Sequence, residues 1–409
     1  MPSARLLDLS RLISRVGRGP LTGIDRVELA YLAALLVAPE PLFALVRVAG
    51  GFALLAPAAT ATLRDHLTGQ APWGRPDLLA RLTRRTAPAR GAAEATVRRL
   101  ALGRARDPGL ARLLRRHLPP GTAYLNVGHS NLRAAVFAAL REVPGATVAV
   151  MIHDAIPLDH PDFASDGMPA AFAGRLHRVG AAADLVIYAS AAARRSVEAH
   201  LARLGRVPPG LVVPLGIDIP RPDPAALPPG LDPARPFFVA LGTIEPRKNL
   251  GFLLDLWADL ARAPPACGLP RLYLVGRRGW AAPDLIARLD ALPPDGPVRE
   301  LGPLPDAAVA ALLQRSAGLL FPSLAEGYGL PPLEAAALGV PVVLNDLPVY
   351  RETLGNSAVY ASVNDRYPWR KAITDLAEGA GRADMARHDQ RDRPLPRWED
   401  HFKPVLRLT

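Results

Sequence analysis

Short apolar runs recur along the chain, with amphipathic stretches between them. RLLDL (5–9), FALVRV (43–48), AYLNV (123–127), TVAVMI (147–152) and DLVIY (184–188) read as strands in the first half. LVVPL (211–215), FFVAL (237–241), LYLVG (272–276), AGLLF (317–321) and PVVLN (341–345) continue the pattern. Apolar residues at helical spacing fill VELAYLAALL (27–36) and PDAAVAALLQRSA (305–317). Strands without polar alternation are buried on both faces, and helices between them supply the cover. The pattern therefore predicts an α/β chain built on parallel sheets.

One stretch breaks both periodicities. PLGIDIPRPDPAALPPGLDPARP (214–236) is too rich in proline for a helix or a central strand and reads as an interdomain linker. A chain of 409 residues is long for one core, so two domains are expected, 1–210 and 211–385. Residues 386–409 form a tail whose end, RWEDHFKPVLRLT (397–409), is expected to pack back on the first domain as a last helix. Segment 71–120, dense in Ala and Arg with Pro at its edges, reads as a helical insertion in the first domain.

Composition narrows the class. Hydrophobic residues make up 49 %, which excludes general disorder. No apolar run approaches the roughly 20 residues that span a bilayer. The N-terminal MPSARLLDLSRLISR lacks the apolar centre of a signal peptide, so the expected compartment is the cytoplasm. Cys267 is the sole cysteine, which excludes an internal disulfide and a cysteine zinc site.

The net charge of +11 is uneven. Between Arg75 and Arg116 stand twelve arginines against Asp77, Glu94 and Asp107. Such a segment suits an anionic partner such as a membrane surface or a lipid-linked phosphate. It equally suits solvated helical faces, because the chain uses Arg almost to the exclusion of Lys, with only Lys248, Lys371 and Lys403. Interleaved aromatics and nucleic-acid motifs are missing, so no nucleic-acid partner is expected.

In open parallel sheets, ligands sit beyond the carboxyl ends of strands. TGIDR (22–26) offers Gly23 before a helix, either for close approach to a phosphate or as an ordinary capped turn. IHDAIP (152–157) places His153 and Asp154 at the end of TVAVM. LGTIEPRKNL (241–250) sets Arg247 and Lys248 side by side near a helix start, where two cations oppose the helix dipole unless an anion joins them. FPSLAEGYGLPPLEAAALGVPVV (321–343) carries Glu326 on a glycine-rich loop and Glu334 near the start of the next helix, with seven residues between them. These carboxylates read either as an acid/base pair or as two hydrogen-bonding clamps. No H-E-x-x-H, Asp-x-Asp, P-loop or G-x-S-x-G pattern occurs, so no metal site is expected.

In this order, the stretches resemble the retaining nucleotide-sugar glycosyltransferases of family 4, whose GT-B fold has two Rossmann-like domains with parallel sheets facing across a cleft. The resemblance runs from TGIDRVELAYLAALL through VMIHDAIPLDHP, VVPLGID and FVALGTIEPRKNL to the complete E-x7-E segment, and fades over 49–120 and 361–397. It implies a metal-independent hexosyltransferase with no cofactor beyond a nucleoside diphosphate-sugar donor, acting on a glycan or lipid-linked acceptor in surface polysaccharide synthesis. Arg247 and Lys248 would grip the donor diphosphate, with Gly23 and Thr243 near it. Glu334 would hold the ribose, and Glu326 the sugar hydroxyls. The backbone of Gly327, Tyr328, Gly329 and Leu330 would help, His153 would lie beside the reacting carbon, and the base would lie near Gly276–Arg277 and Gly302–Leu304. Two alternatives stay open: a GT-B relative that makes a soluble disaccharide or uses phosphate, and a non-catalytic basic protein that binds a membrane surface or a nucleic acid.

Overall fold

The computed structural model describes residues 1–82, 87–231, 235–280, 282–379 and 395–409. The expected boundary at 385/386 therefore lies outside the described residues. Two sheets organise the chain. The first takes the order β4-β3-β2-β1-β5-β6-β7-β8. Its strands are β1 (Ala4–Asp8), β2 (Leu42–Val48), β3 (Gly51–Leu55), β4 (Gly103–Ala105), β5 (Thr122–Asn126), β6 (Thr147–Met151), β7 (Leu185–Tyr188) and β8 (Gly210–Val212). The second, ordered β11-β10-β9-β12-β13-β14, comprises β9 (Phe237–Leu241), β10 (Arg271–Val275), β11 (Val298–Gly302), β12 (Gly318–Phe321), β13 (Val342–Leu344) and β14 (Val359–Tyr360).

Strand alternation explains how one sheet feeds two cores. Leu7, Leu125 and Met151 point to one face of the first sheet, while Leu6, Tyr124 and Val150 point to the other. Both faces are covered by helices, as the unbroken apolar strands require. In the second sheet Phe238, Leu272 and Leu320 meet Trp257 and Trp369, both fully buried.

The second sheet is parallel throughout, but the first ends in two antiparallel strands that the sequence pattern did not reveal. Gly50 and Gly51, both at positive φ, turn β2 back on itself as a hairpin. A Cβ on Gly51 would overlap the Ala105 carbonyl, so only glycine fits there. Around this edge, residues 71–120 fold as the helices Leu78–Leu82, Pro88–Leu100 and Leu110–His117 with β4 among them. Part of their arginine excess is neutralised internally, since Arg98 is buried and donates to both Asp77 oxygens at 2.7 Å.

Three contacts fix one sheet unit against the other. Glu352 accepts the Ala191 and Ala192 N–H groups at 2.6 and 3.0 Å, at the start of the helix Ala191–Arg203. Tyr328 donates its hydroxyl to the Leu215 carbonyl at 3.0 Å. The terminal helix Trp398–Leu408 crosses back to the helix Gly23–Leu36, where His401 Nε2 and the Tyr31 hydroxyl lie 2.8 Å apart. The other ring nitrogen, Nδ1, stands 2.9 Å from the Pro214 carbonyl.

Burial holds the His401 pKa down at about 4, against the pull of the Pro214 carbonyl. Its neutral form is the folded form, so its contribution is complete above about 6.5 and disappears as pH falls through about 4. The His401→Gln variant is therefore expected to be less stable than the parent at pH 7, by about 1–2 kcal/mol. The gap should narrow as pH falls to 4. Urea midpoints across that range check this, and a gap that widens on acidification would reject it.

Candidate active site

The two cations and the loop glutamate meet. After β9 the chain makes a short 3-10 turn, Pro246–Lys248, and Asn249 at φ 53° starts the helix Leu250–Arg262. The Leu324 N–H donates to the Arg247 carbonyl at 2.8 Å, which ties this turn to the loop after β12. Glu326 Oε1 then lies 2.6 Å from Arg247 Nη1 and 2.5 Å from Lys248 Nζ. Arg247 also pairs with Glu245 at 2.6 Å and donates to the Ala325 carbonyl at 3.1 Å. Lys248, itself buried, sits 4.4 Å from the Phe321 ring centre.

The electrostatics follow from burial and this pairing. Burial alone would raise the Glu326 carboxyl, but Arg247 and Lys248 overcome it and hold it at about 2. Burial lowers Lys248, and Glu326 opposes the shift. The guanidinium of Arg247 is pulled upward by Glu326 and Glu245 despite its burial. At neutral pH the site is a charged triad of two cations sharing one carboxylate.

Glu334 follows a different course. Gly329, at φ 90°, starts the helix Leu330–Ala337, and a Cβ there would come within 2.7 Å of the Tyr350 ring. Pro331 and Pro332 fill the helix's first turn. Glu334, on this helix, has an Oε1 2.6 Å from Arg26 Nη1 of the other sheet unit. The approach is an ion pair whose angle falls outside hydrogen-bond alignment. Burial raises its pKa, against the opposing charge of Arg26. The acid/base reading of the glutamates is not supported by this arrangement, since Glu326 pairs with Arg247 and Lys248 while Glu334 pairs with Arg26.

His153 is held by its surroundings. Its Nε2 lies 2.7 Å from the Val127 carbonyl and therefore carries the proton, and its backbone N–H donates to His129 Nε2 at 3.1 Å. Burial lowers its pKa to about 4, so the ring is neutral. Beside it, burial raises the Asp154 carboxyl. A Cβ on Gly327 would reach 2.8 Å from the His153 carbonyl and 3.0 Å from Asp154 Oδ2. The glycine loop of one unit thus lies directly on the strand end of the other.

These groups surround a cleft of about 490 Å³ between the two sheets. Gly23, His153, Thr243, Arg247, Lys248, Gly276, Glu326, Gly327, Tyr328, Gly329, Leu330 and Glu334 all line it. Gly302 does not. Its carbonyl accepts the Gly276 N–H at 2.9 Å, closing the strand ends, and the wall passes to Pro303 and Leu304. Arg26, Glu245 and Asp306 also line the cleft without having been singled out. Arg26 stands within TGIDR, three residues after Gly23, and its side chain crosses to Glu334. Among the described residues, no group of three or more His, Cys, Asp or Glu side chains is placed to hold a metal ion.

Residues 235–378 match the glycosyl transferases group 1 family. The similarity to that family extends over about a third of the chain and takes in the whole of the second sheet. The serotype-specific mannosyltransferase WbdA of Escherichia coli is 30% identical over 249 residues, covering 56% of this chain and 30% of WbdA. The O-antigen chain mannosyltransferase RfbU of Salmonella typhimurium is 29% identical over 145 residues, covering 35% of this chain and 38% of RfbU. The match thus spans about a third of the length of these curated relatives. In overall shape the chain is similar to Anabaena HepE, solved in complex with UDP and glucose. That similarity has a TM-score of 0.63 at 16% identity, over 100% of this chain and 99% of HepE. The two sheet units together have the GT-B fold.

Proposed function

We propose that the chain is a retaining, metal-independent glycosyltransferase of bacterial surface polysaccharide synthesis. It moves a hexose such as mannose or rhamnose from a nucleoside diphosphate to a hydroxyl of a glycan or lipid-linked acceptor. The observation that carries the reading is the Arg247–Lys248–Glu326 triad, placed in the cleft where two sheet ends meet. The mannosyltransferase names of WbdA and RfbU support the choice of sugar.

The chemistry follows from charge. Breaking the anomeric C–O bond sends its electron pair to a diphosphate oxygen and leaves positive character on the sugar. Arg247, Lys248 and the backbone N–H of Leu330, which precedes the two prolines of the helix Leu330–Ala337, offset the added negative charge. The acceptor oxygen bonds the anomeric carbon from the leaving-group side, and its proton passes to the departing phosphate oxygen. No protein nucleophile is required. Neutral His153 borders the reacting carbon without taking a proton, Glu326 holds sugar hydroxyls and Glu334 the ribose. In this scheme the first sheet unit receives the acceptor, the second the donor, and the exposed arginines of residues 75–116 rest on the anionic inner face of the plasma membrane.

GDP-, UDP- and dTDP-sugars, screened by thermal stability and by nucleoside diphosphate release, test the scheme. One donor family is expected to raise the melting temperature and to turn over at the same rate in EDTA as in magnesium. Failure of every nucleotide and nucleotide sugar to shift the melting temperature would sink it, as would release of phosphate in place of nucleotide.

A further inference from the structure

A second cavity, of about 1290 Å³, opens within the first sheet unit, with His129 on its wall. Six arginines line it: Arg47, Arg90, Arg106, Arg133, Arg175 and Arg178. Only two carboxylates answer them. Arg90 pairs with Glu94 at 2.8 Å, and Arg133 with Asp107 at 3.1 Å. Among the described residues, Arg47, Arg106, Arg175 and Arg178 have no carboxylate partner. Arg178 donates to the Leu132 carbonyl at 2.8 Å, while Arg175 reaches only Met168 Sδ and the face of Phe172. Burial and then neighbouring Arg178 lower the Arg175 pKa, a sign of cations held together without a counterion.

The rest of the wall leaves this excess standing. Asp8 lies behind Ser10 and Asn131, with its oxygens taken by the Ser10 N–H, the Asn131 amide and the Tyr124 hydroxyl. His129 and Asn131 both adopt positive φ in the loop after β5, a conformation non-glycine residues hold only where the surroundings enforce it. That loop joins the cavity to the cleft: His129 lines the cavity, and its ring centre lies 4.9 Å from that of His153, which lines the cleft.

We propose that this cavity binds the acceptor by a phosphate group, which the unpaired guanidiniums clamp while the reactive hydroxyl extends past His129 toward the cleft. The proposal rests on the glycosyltransferase reading and narrows its acceptor to a phosphorylated one. Guanidinium forks match phosphate oxygens two at a time. The volume exceeds the roughly 300–1,000 Å³ of ordinary small-ligand pockets, so it admits the phosphate together with attached sugar units.

Phenyl phosphate, titrated into the full chain by calorimetry with the cleft saturated by the best-binding nucleoside diphosphate, is the probe. Arg47→Gln combined with Arg175→Gln is expected to weaken its binding by about tenfold or more, with nucleotide affinity unchanged. Phenyl glucoside, which lacks the charge, is expected not to bind detectably. Farnesyl diphosphate binding at least about tenfold more tightly than phenyl phosphate would assign the phosphate to a lipid; equal affinity would assign it to a phosphorylated glycan. Unchanged phenyl phosphate affinity in the double variant, or equal binding of the glucoside, overturns the site. If no nucleotide binds while arginine-dependent phenyl phosphate binding persists, the donor reading fails and the anion site stands.

Discussion

Lys248→Ala is expected to cut turnover of the donor sugar by about 100- to 1,000-fold, the loss typical of removing one preorganised group at a developing negative charge. The fold should survive, because Glu326 keeps Arg247 as its partner at 2.6 Å. Lys248 also sits against the Phe321 ring, so alanine leaves a small void, worth about 1–2 kcal/mol at most. Single-turnover measurement of nucleoside diphosphate release separates the two effects. A variant within threefold of the parent rate, or one that loses donor affinity with turnover intact, would remove Lys248 from leaving-group stabilisation.

Glu326→Gln is expected to act in opposite directions on stability and on product binding. The substitution leaves buried Lys248 facing a neutral amide, while half-buried Arg247 keeps Glu245, a loss of about 3 kcal/mol for the broken buried pair. The empty variant should melt several degrees below the parent. A nucleoside diphosphate restores the missing negative charge without first displacing a carboxylate, so its affinity should rise by about tenfold. Turnover should fall, since the sugar loses its carboxylate acceptor. Calorimetry with the bare diphosphate decides the matter: weaker binding in Glu326→Gln than in the parent would mean that the triad does not surround the phosphate position.

Local spacing made much of this site readable. RK after one strand and E-x7-E after another identify loops at strand ends, because strand, turn and helix fix where each side chain emerges. What spacing does not encode is which charges meet. Glu326 stands 78 residues from Lys248 along the chain, and only the adjacency of β9 and β12 brings them together. The same holds for Arg26 and Glu334, joined across the cleft. Of the stretch Gly302–Leu304 that the resemblance set near the base, Pro303 and Leu304 reach the cleft wall, while Gly302 ties two strand ends together. The hairpin strand β3 escaped notice because GFALL reads as more of the same apolar run until Gly50 and Gly51 are seen as a turn. His129 was equally invisible, since its position depends on a left-handed backbone that no neighbouring glycine or proline signals.

The resting triad has a kinetic meaning. Glu326 is a tethered competitor for the two cations that the leaving diphosphate would occupy, and its local concentration does not vary with how much nucleotide the cell contains. In the proposed scheme a donor arriving with its sugar would displace the carboxylate and give it hydroxyls to hold in exchange. Once the sugar had been passed on, the spent nucleotide would have nothing left to offer Glu326, and the carboxylate would reclaim Arg247 and Lys248, evicting product and resetting the cleft.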